Sequence, residues 1–399
     1  MDFDSVRRQF PSLREKTFLD AACVSLAPLA ATDAIQYFLS RASSCPERSA
    51  TLNHIAMDRM CGVARDEAAR LIGAQIGEVA LVESTSHGLS LVAQALPLAP
   101  GDAVLISDLE FLEVALPWQA LRDRAGIEIN LVPNCNGEVR VEDFAARITN
   151  RTRVIAISSV QWSNGYRVDL AGLTQICRER GIWLVVDAIQ QLGAMPLDVG
   201  KTPVDFLACG GHKWLNAPFG CGFLYIRRER MSELRAPLPG YLSLQDPAGG
   251  WGNYFETPSI TPLVDMPISS DARKFEVGGT ANYPGAAGLA ASLQLIHEIG
   301  QERIAQRIYE LTDYLIAGLD RAGVRLVTPR ASENRSGIVT FDLGSAAKNV
   351  AAMEHLLDAR VMVSVRYTSG VGGVRVSCHF FNSQNDIERL LEELRKILR

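Results

Sequence analysis

The chain has 399 residues, 47% hydrophobic and 21% charged, the balance of a globular protein large enough for two domains. A net charge of −5 leaves no basic surface for nucleic acid, and no apolar run approaches the length of a membrane span. Its eight cysteines show neither paired nor metal-type spacing, which predicts reduced thiols and no metal site.

The N-terminus, MDFDSVRRQFPSL, mixes charges and lacks an apolar core, so neither a secretory signal nor an anchor is expected and the protein should be cytoplasmic. From about Gly73 to Ile226, helix-like and strand-like segments alternate, which predicts a mostly parallel sheet covered by helices. Within it, ESTSHGLSLVAQAL (Glu83–Leu96) opens an apolar-periodic helix with Ser and Thr. Free N–H groups and a positive dipole end at such a start suit a phosphate, although simple N-capping also explains the composition. Ala103–Glu110, Arg153–Val160 and Trp183–Gln190 are apolar runs ending in polar residues. Functional groups of open α/β sheets gather at the carboxyl ends of strands. Phe111 follows the first run and could stack on a flat ring or join the core. Asp187, with Gln190 three residues on, could hold a pyridinium nitrogen protonated or cap a loop. Between the last two runs, LAGLTQICRERG reads as an amphipathic helix ended by Gly181.

The stretch VDFLACGGHKWLNAPFGCGFLYI (Val204–Ile226) sets Lys213 between strand-like apolar runs. Lysine strongly prefers water, so this is either an exposed turn or a desolvated amine prepared for covalent chemistry such as a Schiff base. Leu238–Ile268 is rich in Gly, Pro and aromatics and reads as a long irregular excursion, functional or interfacial. A helical region follows from about Gly285 to Gly323, and the remaining strand-like pieces and two helices predict a small α+β domain. There, Arg375 lies in an otherwise apolar strand, suited to a bidentate carboxylate or to a surface ion pair.

Phosphate-type helix start, aromatic, strand-end aspartate and lysine follow one another in the order of a fold-type I pyridoxal 5′-phosphate (PLP) enzyme. Together with FLDAACVSLAP, VVDAIQQLGAMPLDV, GGHKWLNAPFGCGFLYI, KFEVGGTANYPGAAGLAASL and RVSCHFFNSQNDIERL, the sequence resembles the class V aminotransferase family along nearly its whole length. That family includes cysteine desulfurases, kynureninases and isopenicillin N epimerase-like enzymes. The resemblance implies an α/β, fold-type I PLP-dependent transferase with a mostly parallel seven-stranded sheet. An N-terminal segment (1–15) would contribute to the small domain, 16–284 would form the large PLP-binding domain, and 285–399 the small C-terminal α+β domain. It further implies that Lys213 carries PLP as a Schiff base, that Asp187 pairs with the pyridine nitrogen and that Gln190 bonds the phenolic-oxygen side. Thr85, Ser86 and His212 would contact the phosphate, and Phe111 would stack on the ring. Thr280 would reach the neighbouring subunit's phosphate, implying a homodimer with the site at its interface. Arg375 would bind the α-carboxylate of a small amino-acid substrate.

Three departures from the family pattern bear on the reaction. The segment Val363–Ser377 is short and has no cysteine, which argues against persulfide-forming desulfuration. A phosphate-contacting serine three residues before the lysine is Gly210 here. An asparagine near the cofactor oxygen is replaced within VQWSNGYR, at Trp162, leaving Gln161 and Asn164 as substrate-side candidates. The expected reaction is β-elimination at a C–S bond of a cysteine-type conjugate, as in natural-product tailoring, with room for the side chain made by Trp251, Tyr254 and Phe255. Transamination, epimerisation and decarboxylating deamination are the alternatives. A silent scaffold would not need Lys213, Asp187 and Arg375 together, and a nicotinamide dehydrogenase would need a GxGxxG turn that the chain lacks.

Overall fold

A seven-stranded sheet forms the centre of the computed structural model, in which residues 2–263, 265–276 and 281–398 are described. Its strands are β1 (Val79–Val82), β2 (Ala103–Ser107), β3 (Glu128–Val132), β4 (Thr152–Ser158), β5 (Trp183–Asp187), β6 (Phe206–Gly210) and β7 (Gly222–Ile226). They lie in the order β1-β7-β6-β5-β4-β2-β3. β2 through β6 pair in parallel, while β7 runs against both β6 and β1. Runs such as AVLIS and WLVVD are apolar at nearly every position because both faces of a parallel sheet are covered.

The covering helices begin with α1 (Leu29–Ser44), α2 (Ala50–Ile72), α3 (Thr85–Ala95), α4 (Leu112–Ala125) and α5 (Leu170–Arg180). α4 and α5 stop at Gly126 and Gly181, whose φ of 69° and 65° are left-handed caps that glycine adopts without a Cβ penalty. α6 (Tyr283–Ile299) and α7 (Gln301–Arg321) follow, then α8 (Ala346–Asp358) and α9 (Gln384–Ile397). A second sheet, wholly antiparallel, contains β8 (Arg325–Leu326), β9 (Ile338–Asp342), β10 (Ser364–Thr368) and β11 (Val371–Ser377) in the order β10-β11-β9-β8. It shares a core with α7, α8 and α9 through Leu315, Leu356, Val374 and Leu390. The expected α/β fold with a small α+β unit is therefore present.

One expected boundary is corrected. A division at 285 falls inside α6, and that helix buries Ala286, Leu289, Leu293 and Ile296 in the large core beside α1 and α2. A helix whose apolar stripe is spent on one unit belongs to that unit, so the change of unit comes after α6. The N-terminal segment bridges both: Phe10 packs 4.7 Å from Phe381, and Arg7 pairs with Asp386 of α9 at 2.7 Å. Among the described residues, the 238–268 excursion is largely irregular as expected, with a 3-10 turn (Tyr241–Ser243) and a short helix (Gly250–Phe255) between which Tyr241, Trp251, Tyr254 and Phe255 form an aromatic cluster.

Candidate active site

β6 and β7 close on each other with Gly210 opposite Gly222. A Cβ at Gly222 would collide with the Cys209 carbonyl, so only glycine lets the strands meet there. The loop they enclose carries Lys213. Gly211 N–H donates to Cys221 O (2.8 Å), and Asn216, in the left-handed region at φ 57°, donates its N–H to Lys213 O (3.0 Å). From outside, Ser25 N–H donates to His212 O (2.9 Å), and Asn216 Nδ2 donates to Ser25 Oγ (2.7 Å). The next residue, Trp214, is fully buried. Its indole donates to Gln190 Oε1 (2.8 Å) and its carbonyl accepts from His379 Nε2 (3.0 Å). The lysine backbone is thus fixed by the sheet, the N-terminal segment and the small unit together.

Lys213 is half-buried as a residue, and protein surrounds its amine closely enough that lost solvation pulls its pKa down to about 8. Asp187, at the end of β5, opposes that fall and is itself pushed up to about 6 by burial. Asp187 Oδ1 accepts from Ile189 N–H at 2.9 Å. Phe111 lies 5.8 Å from the amine, ring face toward it, and meets Trp162 edge-on at 5.1 Å. Lysine, aspartate and aromatic therefore converge from three separate strand ends, as the order along the chain implied.

Glu110, beside Phe111, is a site residue that sequence reading missed. Its signal was present: an acid closing an apolar strand run. The carboxyl accepts from Ser158 N–H (2.9 Å), from the Ser158 hydroxyl and from Gln161 Nε2 (2.7 Å). Burial, aided by Asp187, still raises its pKa to about 7. Folded chains then hold a proton on Glu110 between pH 4.5 and about 7 where unfolded chains have lost it, so stability falls as pH rises through that window. Glu110→Gln is expected to match wild-type stability near pH 4 and to exceed it by about 3 kcal/mol above pH 7. Unfolding midpoints at both pH values check this; a constant difference would refute it.

At the far end of the site, Gly210 brings the main chain against α3. Its N–H donates to Thr85 Oγ1 (2.8 Å), and a Cβ there would stand 3.2 Å from that oxygen and 3.4 Å from the His212 ring. A side chain at this position would crowd both Thr85 and His212. His212 stacks on Phe219 at 4.8 Å, and burial beside Lys213 lowers its pKa to about 4, so it is a neutral donor. Ser84 caps α3 by accepting from His87 N–H (3.1 Å), and Thr85 and Ser86 form the first turn.

Arg375 lies on β11 and is 1% exposed. It donates to Trp162 O (2.9 Å) and to Asp20 Oδ1 (3.2 Å), and its Nε has no partner among the described residues. Around it stand four further groups that the sequence reading did not single out: Asp20, Cys23, Ser364 and Arg366. Asp20 also accepts from Ser364 Oγ (3.0 Å), and Arg366 donates to the sulfur of Cys23 at 3.4 Å. Arginines in a period-two strand and the acid of FLDAAC were the available signals.

Other expectations are corrected. Gln190 is different: its oxygen accepts from the Trp214 indole and one Nε2 hydrogen goes to Ala22 O (3.1 Å), which braces the lysine loop and leaves the second Nε2 hydrogen for a phenolic oxygen. Asn164 is not a substrate ligand: its Nδ2 donates to Gly137 O (2.7 Å) and its oxygen accepts from Tyr166 N–H (3.0 Å), the local pairing expected of a turn asparagine. Gln161, not Trp162, supplies the buried carboxamide, with Nε2 on Glu110 and Oε1 unpaired. The aromatic excursion packs toward Thr51 and Ile55 of α2 at Gly252. Thr280 lies outside the described residues.

The aminotransferase class-V family model matches residues 17–390. A probable cysteine desulfurase of Pyrococcus abyssi is 29% identical over 99% of this chain and 98% of its own length. The cysteine desulfurase of Shigella flexneri is 28% identical with the same coverage. Among solved structures, the apo cysteine desulfurase of Thermococcus onnurineus NA1 superposes with a TM-score of 0.86 at 27% identity, over 99% of this chain and 98% of that one. The cystine C–S lyase C-DES, in complex with its product cysteine persulfide, gives 0.86 at 25% identity over 97% and 99%. A second C-DES structure carries glycine covalently linked to PLP. The residues here fit that cofactor. The lysine amine has no hydrogen-bond partner among the described residues, Gln161 Oε1 and Trp162 Nε1 are buried and unpaired, and a strand-end carboxylate faces the same space. Orphaned buried polar atoms clustered in this way call for a polar group between them. The chain belongs to the aminotransferase class-V family and is a PLP-dependent enzyme.

Proposed function

We propose that the enzyme is a C–S β-lyase acting on cysteine or an S-substituted cysteine, as a cytoplasmic homodimer. PLP, when bound, supplies the electron sink that makes the Cα–H of an amino acid acidic. Lys213 would hold it, Asp187 would keep its ring nitrogen protonated, Phe111 would cover its face, and Thr85, Ser86 and His212 would take its phosphate. Arg375 anchors the substrate carboxylate and so orients Cα toward Lys213. With a pKa of about 8, roughly a tenth to a fifth of the freed amine is neutral near physiological pH, and that fraction can take the Cα proton. The Cβ–S bond then breaks with the electron pair leaving on sulfur, and Lys213 returns the proton to the thiolate. Water completes the products as a thiol, pyruvate and ammonia.

The observation that carries this reading is the wall formed by β10 and β11. It presents Arg375 and carries no cysteine of its own, which favours release of sulfur from the substrate over its capture on those strands. The relatives named as desulfurases and a C–S lyase support chemistry at sulfur over transamination. A homodimer is supported by apolar residues left outside, such as Tyr37 at 57% and Leu263 at 90% exposure, on α1 and the excursion.

A second reading has its own observation. The Cys23 thiol sits beside Arg366, so sulfur could pass from substrate cysteine to Cys23 as a persulfide, leaving alanine. One experiment separates the two: holoenzyme is given cysteine, S-methylcysteine and cystine, with pyruvate, ammonia, alanine and sulfide measured. Pyruvate with one equivalent of ammonia, unchanged in Cys23→Ser, is expected. Alanine lost in Cys23→Ser would establish the second reading, and a keto-acid-dependent product would mark a transaminase.

A further inference from the structure

We propose that Asp20 is a resident counter-charge that limits the site to one anionic group, and thereby selects amino acids whose side chain carries no second acid. The proposal rests on the reading of Arg375 as carboxylate anchor. β10 and β11 are antiparallel with Ser364 opposite Arg375. Directly opposed residues share one face of a sheet, as does the residue two positions along. Ser364, Arg366 and Arg375 therefore project from the same face, where they meet Asp20 and Cys23 of the N-terminal segment.

That segment is fixed, because Ser377 N–H donates to Leu19 O (2.7 Å) and Leu19 N–H to Met362 O (3.0 Å). Asp20 thus stays against the arginines with its side chain 16% exposed. It accepts from Arg375 and Ser364, while Arg366 donates to Val365 O (2.8 Å) and to Cys23 and forms no salt bridge among the described residues. Two guanidiniums face one resident carboxylate, which leaves one positive charge to be balanced. A single substrate carboxylate closes that count. A second would enter a mostly buried space with no cation left for it, where an unpaired charge is costly.

The test uses holoenzyme and two unreactive anions, propanoate and succinate, with binding measured by calorimetry. Arg366→Gln removes the surplus charge and is expected to weaken propanoate roughly tenfold or more. Adding Asp20→Asn to Arg366→Gln restores the count, and affinity should return to within about threefold of wild type, a coupling that independent sites do not show. Asp20→Asn alone should raise the succinate-to-propanoate preference roughly tenfold. A double variant as weak as Arg366→Gln, or a preference unmoved by Asp20→Asn, would overturn the proposal. If Asp20→Asn does not fold alone, the double variant still decides. Propanoate binding unaltered in Arg375→Ala would sink the anchor reading itself, and this proposal with it.

Discussion

Lys213→Met, compared with wild type after the cofactor is stripped from both, is expected to be the more stable protein by about 3 kcal/mol near pH 7. It is expected at the same time to be inactive. The amine's pKa falls from an ordinary 10.5 to about 8 because burial disfavours its charged form. Between those values the unfolded chain binds a proton that the folded chain does not, so stability rises with pH from about 8 to 10.5 and the full penalty stands below 8. Methionine fills similar space without the charge, so its advantage should shrink toward zero by pH 10.5. Lys274 is the control: it is also buried, but its Nζ donates to Met231 O (2.7 Å) and Leu234 O (3.3 Å), so Lys274→Met strands two carbonyls and should destabilise. Activity of Lys213→Met should fall by roughly four orders of magnitude, the upper range for a proton-transfer group. Borohydride treatment of the holoenzyme should fix the cofactor on the peptide holding Lys213. A less stable Lys213→Met apoprotein at pH 7, or an adduct on Lys201 or Lys274, would refute the assignment.

Such instability at a working residue is what made the site legible in the sequence. Lys213 and Arg375 stood out because each is a charge in an apolar strand context, and such placements persist only when something uses or pairs them. Asp187 and Phe111 stood out because they close strand runs, and sheet topology makes those ends converge. What stayed hidden depends on competition between partners far apart in the chain. Asp20 reaches Arg375 across 355 positions, through backbone pairing of Leu19 that no local pattern encodes. Gln190 sits at the right spacing from Asp187, but spacing does not show that its oxygen accepts from the Trp214 indole and so ties it to the lysine loop. Asn164 lies two residues before Tyr166 in a turn, where its short side chain finds the main chain first. The end of the large unit was misplaced for a similar reason. α6 is apolar on nearly every side, so its pattern did not show which unit it packs against.

Arg375→Ala is expected to weaken amino-acid binding by roughly 2–5 kcal/mol, the loss on truncating one partner of a buried charge pair. The structure adds a second expectation. Arg375 also joins Asp20 to the carbonyl of Trp162, so alanine leaves that carbonyl without its donor and a mostly buried carboxylate with no cation hydrogen-bonded to it, held by Ser364 alone. That should cost stability by about 3–5 kcal/mol, the range for breaking a buried pair from one side. Arg375→Lys separates the two effects. Its ammonium keeps a charge near Asp20 but lacks the fork that holds the Trp162 carbonyl and a carboxylate together. Stability should then recover more than substrate affinity does, and the holoenzyme's absorption should stay close to wild type in both variants because Arg375 is placed outside the cofactor's own ligands. The measurements are KM, kcat and unfolding midpoint for all three proteins. If Arg375→Ala loses stability while KM is unchanged, Arg375 is only a clamp between the N-terminal segment and the 161–164 turn, and the substrate carboxylate must be held elsewhere.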